Sequence, residues 1–237
     1  MTAEEQLIAS YDFQKGATLL VDKPKDWTSF DVVNKIRYAL RQRLGVKKIK
    51  VGHAGTLDPM ATGLLIICTG KATKSLADLQ GLSKMYTGTM LFGGSTPSYD
   101  AETEVDQHFP IDHISDNMIE QARQQFLGDI DQVPPMFSAI KVDGQPLYKK
   151  ARKGESIEIK ARRVHIYSLE FTCIALPEVD FRVHCSKGTY IRSLAHDLGG
   201  ILDSGAHLTA LKRTRVGEFH LEDAWELEKL ITLLGNP

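Results

Sequence analysis

The sequence predicts an α+β domain, on three observations. Strand-like and helix-like stretches mix without the regular alternation of a doubly wound sheet. Val179, Phe181, Val183 and Cys185 alternate with Asp180, Arg182, His184 and Ser186, the clearest two-residue period in the chain. Val32, Val33, Ile36 and Leu40 repeat at helical spacing behind Thr28 and Ser29, either of which can N-cap a helix.

Composition bounds the rest. The 237 residues are 42% hydrophobic and 25% charged, enough for one large domain or two small ones. The longest apolar run is far too short to span a membrane. The start, MTAEEQLIAS, lacks a signal-peptide core. Cys68, Cys173 and Cys185 are scattered and odd in number, which predicts reduced core thiols in a cytoplasmic protein rather than a disulfide framework. The net charge is −1, yet charge is segregated. Lys35 to Lys50 holds seven Lys or Arg and no acid, whereas Asp100 to Asp131 sets nine acids against Arg123 alone. Such asymmetry suits one face to phosphates, although a basic run also serves as a solvated helix face.

Taken in order, residues 1–17 lack periodicity and are expected to form a loosely held arm, leaving 18–237 as the main domain. Thr18 to Val21 reads as a strand and KPKDWTS as a loop. The helix behind Thr28 carries Asp31 in its first turn and ends near Gly45. The basic loop VKKIK, with Lys47 and Lys48, leads into KVGHAGTLDPMATGLLIICTGKATK. There Asp58 sits between Leu57 and Pro59, and the proline restricts it to extended geometry. Leu64 to Cys68 reads as a short, fully buried strand. An acid pinned on a stiff loop is where reactive groups sit, but an Asp-Pro turn also serves simply as a turn, and spacing alone does not choose.

Further on, Thr73 to Leu82 suggests a short helix with Lys74 near its start. Met85 to Phe92 reads as a strand with Tyr86, Gly88, Met90 and Phe92 on one face. GGSTPSYDAET is a turn-rich loop holding Asp100. Ser115 and Asp116 introduce a helix with Ile119, Ala122 and Phe126 inward, closed by Gly128. An Asp143-Gly144 turn and a basic cluster of Lys149, Lys150, Arg152 and Lys153 follow. Val164 to Ile174 is strand-like. Beyond Cys185, a Lys187-Gly188 turn places Tyr190 and Arg192 where strand passes into helix, and Gly199-Gly200 is expected to stop that helix. His184 and His196 lack a recognisable metal-ligand spacing. The last segment, LEDAWELEKLITLL, reads as one helix.

GHAGTLDPMATGLL followed by GKATK resembles the catalytic motif of the TruB family of bacterial tRNA pseudouridine synthases. The likeness continues in LLVDKPKDWTSFDVV, KMYTGTMLFGGSTPSYDAE, QVPPMFSAIKVDGQPLYKKARKG, VHCSKGTYIRSLAHDLG and GAHLTALKR, in the family's order, from about Thr18 to Arg215. The family usually has glycine where this chain has Asp26, a residue that tolerates turn conformations.

This resemblance implies the pseudouridine-synthase fold, a mainly antiparallel mixed sheet with flanking helices around a central active-site cleft. It implies a monomer acting on the T arm of tRNA, converting the uridine at T-loop position 55 to pseudouridine. Many members carry an additional C-terminal PUA domain, for which this chain leaves no room. The reaction detaches uracil, turns it and rejoins it through C5, so it needs no redox cofactor. An ionised Asp58 would attack the ribose or help remove a sugar proton, and both routes stay open. Arg192 would be its cationic partner, Tyr190 would pack beneath the flipped base and Tyr86 would stack on it. Leu211 would line the pocket, and His53 would fill the space the base vacates. Lys74, Arg213, Lys47 and Lys48 are expected phosphate contacts, and Asp100 is a further candidate RNA contact. A non-catalytic RNA-binding module and a nucleoside hydrolase using the same carboxylate are the competing functions.

Overall fold

A computed structural model describes residues 2–235 apart from 139, 143, 152 and 156, and the backbone alone of Lys141. Arg152 of the expected basic cluster and Asp143 of the expected turn lie outside the described residues. The main domain expected over 18–237 separates into two compact units, one of residues 1–84 and 212–237, the other of residues 85–211.

The first unit is built on strand β3 (Thr62–Thr69). It pairs antiparallel with β1 (Thr18–Lys23), from Thr18 opposite Cys68 to Lys23 opposite Gly63, and with β2 (Val51–Ala54). The short strand Trp225–Glu226 runs parallel beside β1, and Lys212 and Arg213 pair parallel with Thr62 and Gly63. On one face of β3, Leu65 and Ile67 meet Val32, Val33, Ile36 and Leu40 of helix α2 (Ser29–Leu44) and Leu227, Leu230 and Leu234 of the C-terminal helix Leu227–Gly235. On the other, Leu64, Ile66 and Cys68 pack with Ala54 and Val216. Burial on both faces explains why the strand reads as an uninterrupted apolar run rather than an alternating one.

Local signals act as expected in α2. Thr28 N-caps it in a reciprocal capping box with Asp31, and Gly45 ends it in the left-handed conformation at φ 61°. Three expectations in this unit change. The first seventeen residues are not a loose arm: helix α1 (Ala3–Ser10) starts with a capping box and buries Ile8, and Phe13 follows it into the core. The stretch from Thr73 becomes a 3-10 turn, Gly70–Ser75, and then a short helix, Leu76–Gly81. The last segment is not one helix: a 3-10 turn at Leu221–Asp223 is followed by an extended Trp225, which pairs with Val21, and the α-helix starts at Leu227.

The second unit contains strand β4 (Lys84–Phe92) from Met85 onward, lying between the strand Glu178–Cys185 and the first half of the strand Ala206–Val216. Next come Arg162–Ala175 and Gly128–Gln132, both antiparallel to their neighbours. Val179, Phe181, Val183 and Cys185 are buried as the alternation predicts. Tyr86, Met90 and Phe92 are buried on one face of β4. The helix Asp116–Gln124 is N-capped by Ser115, and the helix Ile191–Ile201 buries Ile191, Leu194, Ala195 and Leu198.

Two expectations change in this unit. Gly199 and Gly200 lie inside the helix rather than stopping it: a Cβ on Gly199 would stand 2.4 Å from the Ala206 amide nitrogen, so glycine serves close packing there. Cys173 is exposed on a strand, unlike the buried Cys68 and Cys185. No described helix is long and apolar enough to cross a membrane. With mostly antiparallel pairing, a few parallel contacts and flanking helices, the fold class is α+β.

Candidate active site

The turn that carries Asp58 is held by its backbone. Ser29, at the start of α2, donates its hydroxyl to the Leu57 carbonyl (3.2 Å) and accepts from the Leu57 amide (2.8 Å). The Asp26 amide donates to the Pro59 carbonyl (2.8 Å), and Asp26 is left-handed at φ 66°. Asp26 thus keeps the turn that the resemblance led one to expect there. The Ala61 amide closes the turn on the Asp58 carbonyl (3.1 Å). Asp58 itself is half-buried.

Two buried cations complete the cradle. Lys23 is fully buried, and its ammonium donates to the carbonyls of Trp27 (2.5 Å), Pro24 (2.9 Å) and Pro59 (3.2 Å). Burial depresses its pKa to about 8, opposed chiefly by the attraction of Asp58. That attraction is mutual, so the ammonium favours the ionised carboxylate. Arg213 is 1% exposed and donates to the carbonyls of Leu64 (2.8 Å) and Gly55 (3.1 Å), clamping both ends of the turn. Gly63 permits this approach: it lies at φ 100°, and a Cβ there would stand 2.3 Å from the Arg213 carbonyl oxygen. No carboxylate is among these hydrogen-bond acceptors, so carbonyl dipoles stabilise the charges and their positive field persists around the turn.

His53 lies on β2, half-buried, with Nδ1 buried and lacking a hydrogen-bond partner. Burial lowers its pKa, opposed by a backbone hydrogen bond at Gly55 and aided by the Arg213 charge, which favours the neutral ring. Lys47, Lys48 and Lys74 are exposed in the same unit. Arg213 differs from its expected place: it is internal, and its guanidinium meets backbone carbonyls where a phosphate contact was expected.

In the second unit, Arg192 is buried in the first turn of the helix Ile191–Ile201. It donates to the carbonyls of Ser98 and Phe137, both at 2.8 Å, and its Nε stands 3.4 Å from the carboxylate of Asp100. Neither of those two facing atoms makes a formed hydrogen bond, so this contact is an ion pair. Asp100 is fully buried, accepting from the Ser98 hydroxyl (2.6 Å) and the Glu102 amide (3.0 Å), and so is internal rather than a surface contact for RNA. Tyr190 is fixed by Gln132, whose amide group donates to the Tyr190 carbonyl (3.0 Å) and accepts from its amide (2.7 Å). Arg162 lies 4.3 Å from the Tyr190 ring centroid. Tyr86 and Leu211 are each 8% exposed. His196 stacks on Tyr99 with centroids 3.8 Å apart, and no group of three or more possible metal ligands occurs among the described residues.

The structure thus groups His53, Asp58 and Arg213 in one unit and Tyr86, Asp100, Tyr190, Arg192 and Leu211 in the other. Sequence reasoning missed Lys23, Ser29, Gln132 and Arg162. A lysine at the end of an apolar strand, as in LLVDK, was the available signal for Lys23.

Known proteins converge on the same reading. Residues 41–191 match the family model described as TruB family pseudouridylate synthase (N terminal domain), and residues 192–235 match the tRNA pseudouridylate synthase B C-terminal domain. The chain is 57% identical over 228 residues to tRNA pseudouridine synthase B of Flavobacterium johnsoniae, covering 96% of each chain. It is 56% identical over 217 residues to the same-named protein of Phocaeicola vulgatus, covering 92% of each. Among solved structures, a Cbf5-Nop10-Gar1 complex aligns with TM-score 0.68 and 31% identity, over 93% of this chain and 54% of that one. An H/ACA RNP bound to a substrate RNA containing 2'-deoxyuridine aligns with TM-score 0.67 and 29% identity, over 93% of this chain and 53% of that one. The clamped aspartate turn thus lies in a pseudouridine-synthase fold, and the chain belongs to the TruB family of pseudouridylate synthases.

Proposed function

We propose that this isomerase converts the T-loop uridine of tRNA, position 55, to pseudouridine, with Asp58 as the reacting carboxylate. The observation that carries the assignment is the Asp58 turn, whose backbone is tied down by Ser29, Asp26, Lys23 and Arg213. A carboxylate pre-set in this way loses little freedom on reaching the transition state. Attack on the ribose and removal of a sugar proton both use it in the ionised form, which the Lys23 charge favours.

Tyr86, Tyr190, Arg192 and Leu211 are assigned to the same reaction on family membership: Tyr86 to stack on the base, Tyr190 to pack beneath it, Leu211 to line the pocket, and Arg192 to act with Asp58. Extruding the uridine costs roughly a few kcal/mol, and stacking on one tyrosine returns about 1–3 kcal/mol. A neutral His53 suits the vacated space, because an uncharged ring fills it without burying a charge. Lys74, Lys47 and Lys48 are assigned to phosphates.

The test is nucleoside analysis of tRNA treated with wild type and Asp58→Asn. Wild type is expected to yield pseudouridine at position 55 and to release tritium from C5-labelled uridine. Asp58→Asn is expected to bind tRNA with turnover reduced on the order of 10³-fold or more. Near-wild-type turnover by Asp58→Asn would reject the role of this acid. Free uracil would make the protein a hydrolase, and tRNA binding with no new nucleoside would make it a non-catalytic module.

A further inference from the structure

The two most exposed large apolar side chains among the described residues share one helix. Phe30 is 60% exposed and Tyr38 is 64% exposed, both on α2. They are eight residues apart, which sets them on the same side of the helix about 12 Å apart along its axis. Val32, Val33, Ile36 and Leu40 occupy the opposite side and are buried, so the aromatic pair is not part of the core stripe.

Cations interleave with the rings. Arg37 lies between them in sequence, with its guanidinium carbon 6.0 Å from the Phe30 ring centroid. It is held by the Asn34 side-chain oxygen (2.5 Å) and by the carbonyl of Val51 (3.0 Å), at the start of the strand that carries His53. Arg41 follows, exposed, one turn on, and Lys47 and Lys48 are exposed in the loop after the helix. Asp31, the acid on this helix, is engaged with the Thr28 amide and hydroxyl in the N-terminal cap. A merely solvated helix face has no reason to expose two large rings. A protein-binding face gains nothing from Arg37, Arg41, Lys47 and Lys48 set beside its rings without a compensating acid. Flat rings between fixed cations match a polyanion with unpaired bases: the rings take base faces and the guanidinium and ammonium groups take phosphates.

We infer that the outer face of α2, with the Lys47-Lys48 loop, is an RNA-binding surface on which Phe30 and Tyr38 stack unpaired nucleotides of the substrate tRNA. The inference rests on the RNA-directed reading above and adds a binding element outside the residues assigned to the reaction.

The experiment measures dissociation constants for an unmodified tRNA transcript by fluorescence anisotropy at two salt concentrations. Wild type is compared with Phe30→Ala/Tyr38→Ala and with Arg41→Gln/Lys47→Gln/Lys48→Gln, after thermal melts check that all are folded. The aromatic variant is expected to bind about tenfold more weakly at both salts, as for loss of base–aromatic stacking. The cationic variant is expected to lower the salt slope of log K by about 2–3, three lost phosphate contacts at roughly 0.7–0.9 each. Aromatic-variant affinity within twofold of wild type overturns the surface and leaves the rings to a protein or lipid partner. Nucleoside analysis of the same tRNA separates the two readings. Pseudouridine from wild type with unchanged variant affinity sinks the surface alone. No pseudouridine, with the variants binding weakly, sinks the reaction alone.

Discussion

Lys23 in the first unit and Arg192 in the second are both buried cations, and the protein accommodates them in opposite ways. Lys23 donates to three carbonyls. Arg192 donates to two carbonyls and also faces the buried Asp100 carboxylate at 3.4 Å. Dipoles stabilise a charge without cancelling it, whereas a carboxylate largely does. The Asp58 turn therefore keeps a positive field generated within its own unit. The Arg192–Asp100 pair instead fastens the loop of Ser98 and Asp100, and the segment at Phe137, to the helix Ile191–Ile201. The Lys23 charge favours an ionised carboxylate on its own turn, while the Arg192–Asp100 pair secures structure within the second unit.

The largest test of this contrast is Arg192→Ala. It strands the fully buried Asp100 charge and should cost about 3–5 kcal/mol of unfolding free energy, read from denaturant melts. A loss under about 1 kcal/mol would show that Asp100 does not depend on this ion pair.

Lys23→Met comes next. It orphans carbonyls of Pro24, Trp27 and Pro59 but also removes a penalised charge, so the expected loss at pH 7 is smaller, about 1–3 kcal/mol. Its pH signature is specific. The folded Lys23 titrates at about 8 against 10.5 when unperturbed, so between those values the unfolded chain holds the proton that the folded chain has released. Wild-type stability should accordingly rise across that window relative to Lys23→Met, and below it the difference should stay constant with pH. Parallel pH profiles would mean that the ammonium is not penalised by burial.

The smallest effect is expected at Asp197, the anionic counterpart in the second unit, whose carboxyl burial pushes from 3.8 up to about 6. Between those values the folded chain holds a proton that the unfolded chain has lost, so this group's contribution falls as pH rises. Asp197→Asn should stabilise the protein above pH 6 by about 1 kcal/mol at most, with solvent screening the rest. The gain should vanish below about pH 4 in thermal melts.

Much of the frame was legible in residue order. A cap at Thr28 or Ser29, the stop at Gly45, the α2 stripe, the doubly buried Leu64–Cys68 strand and the alternation from Val179 each arise from neighbours a few residues apart. That the turn at Asp26 would survive was expected from the family resemblance, and Asp26 is left-handed there. Asp58 stood out because a proline and several glycines beside an acid constrain it locally.

What tertiary structure alone decided depends on partners far along the chain. Arg213 looked like a surface cation until folding brought Leu64, 149 residues away, and Gly55 to accept its hydrogen bonds. Asp100 looked exposed in a turn-rich loop, yet Arg192 receives it in the interior. Trp225 leaves the expected helix because Val21 offers a strand edge, and Gly199 stays helical because Ala206 packs against it. Periodicity reports which side of an element is apolar, but not which distant backbone will cover it. The sequence by itself thus determined most of the elements and singled out Asp58 as a constrained acid. The fold decided which charges are buried, because burying a charge requires acceptors that only a complete fold assembles.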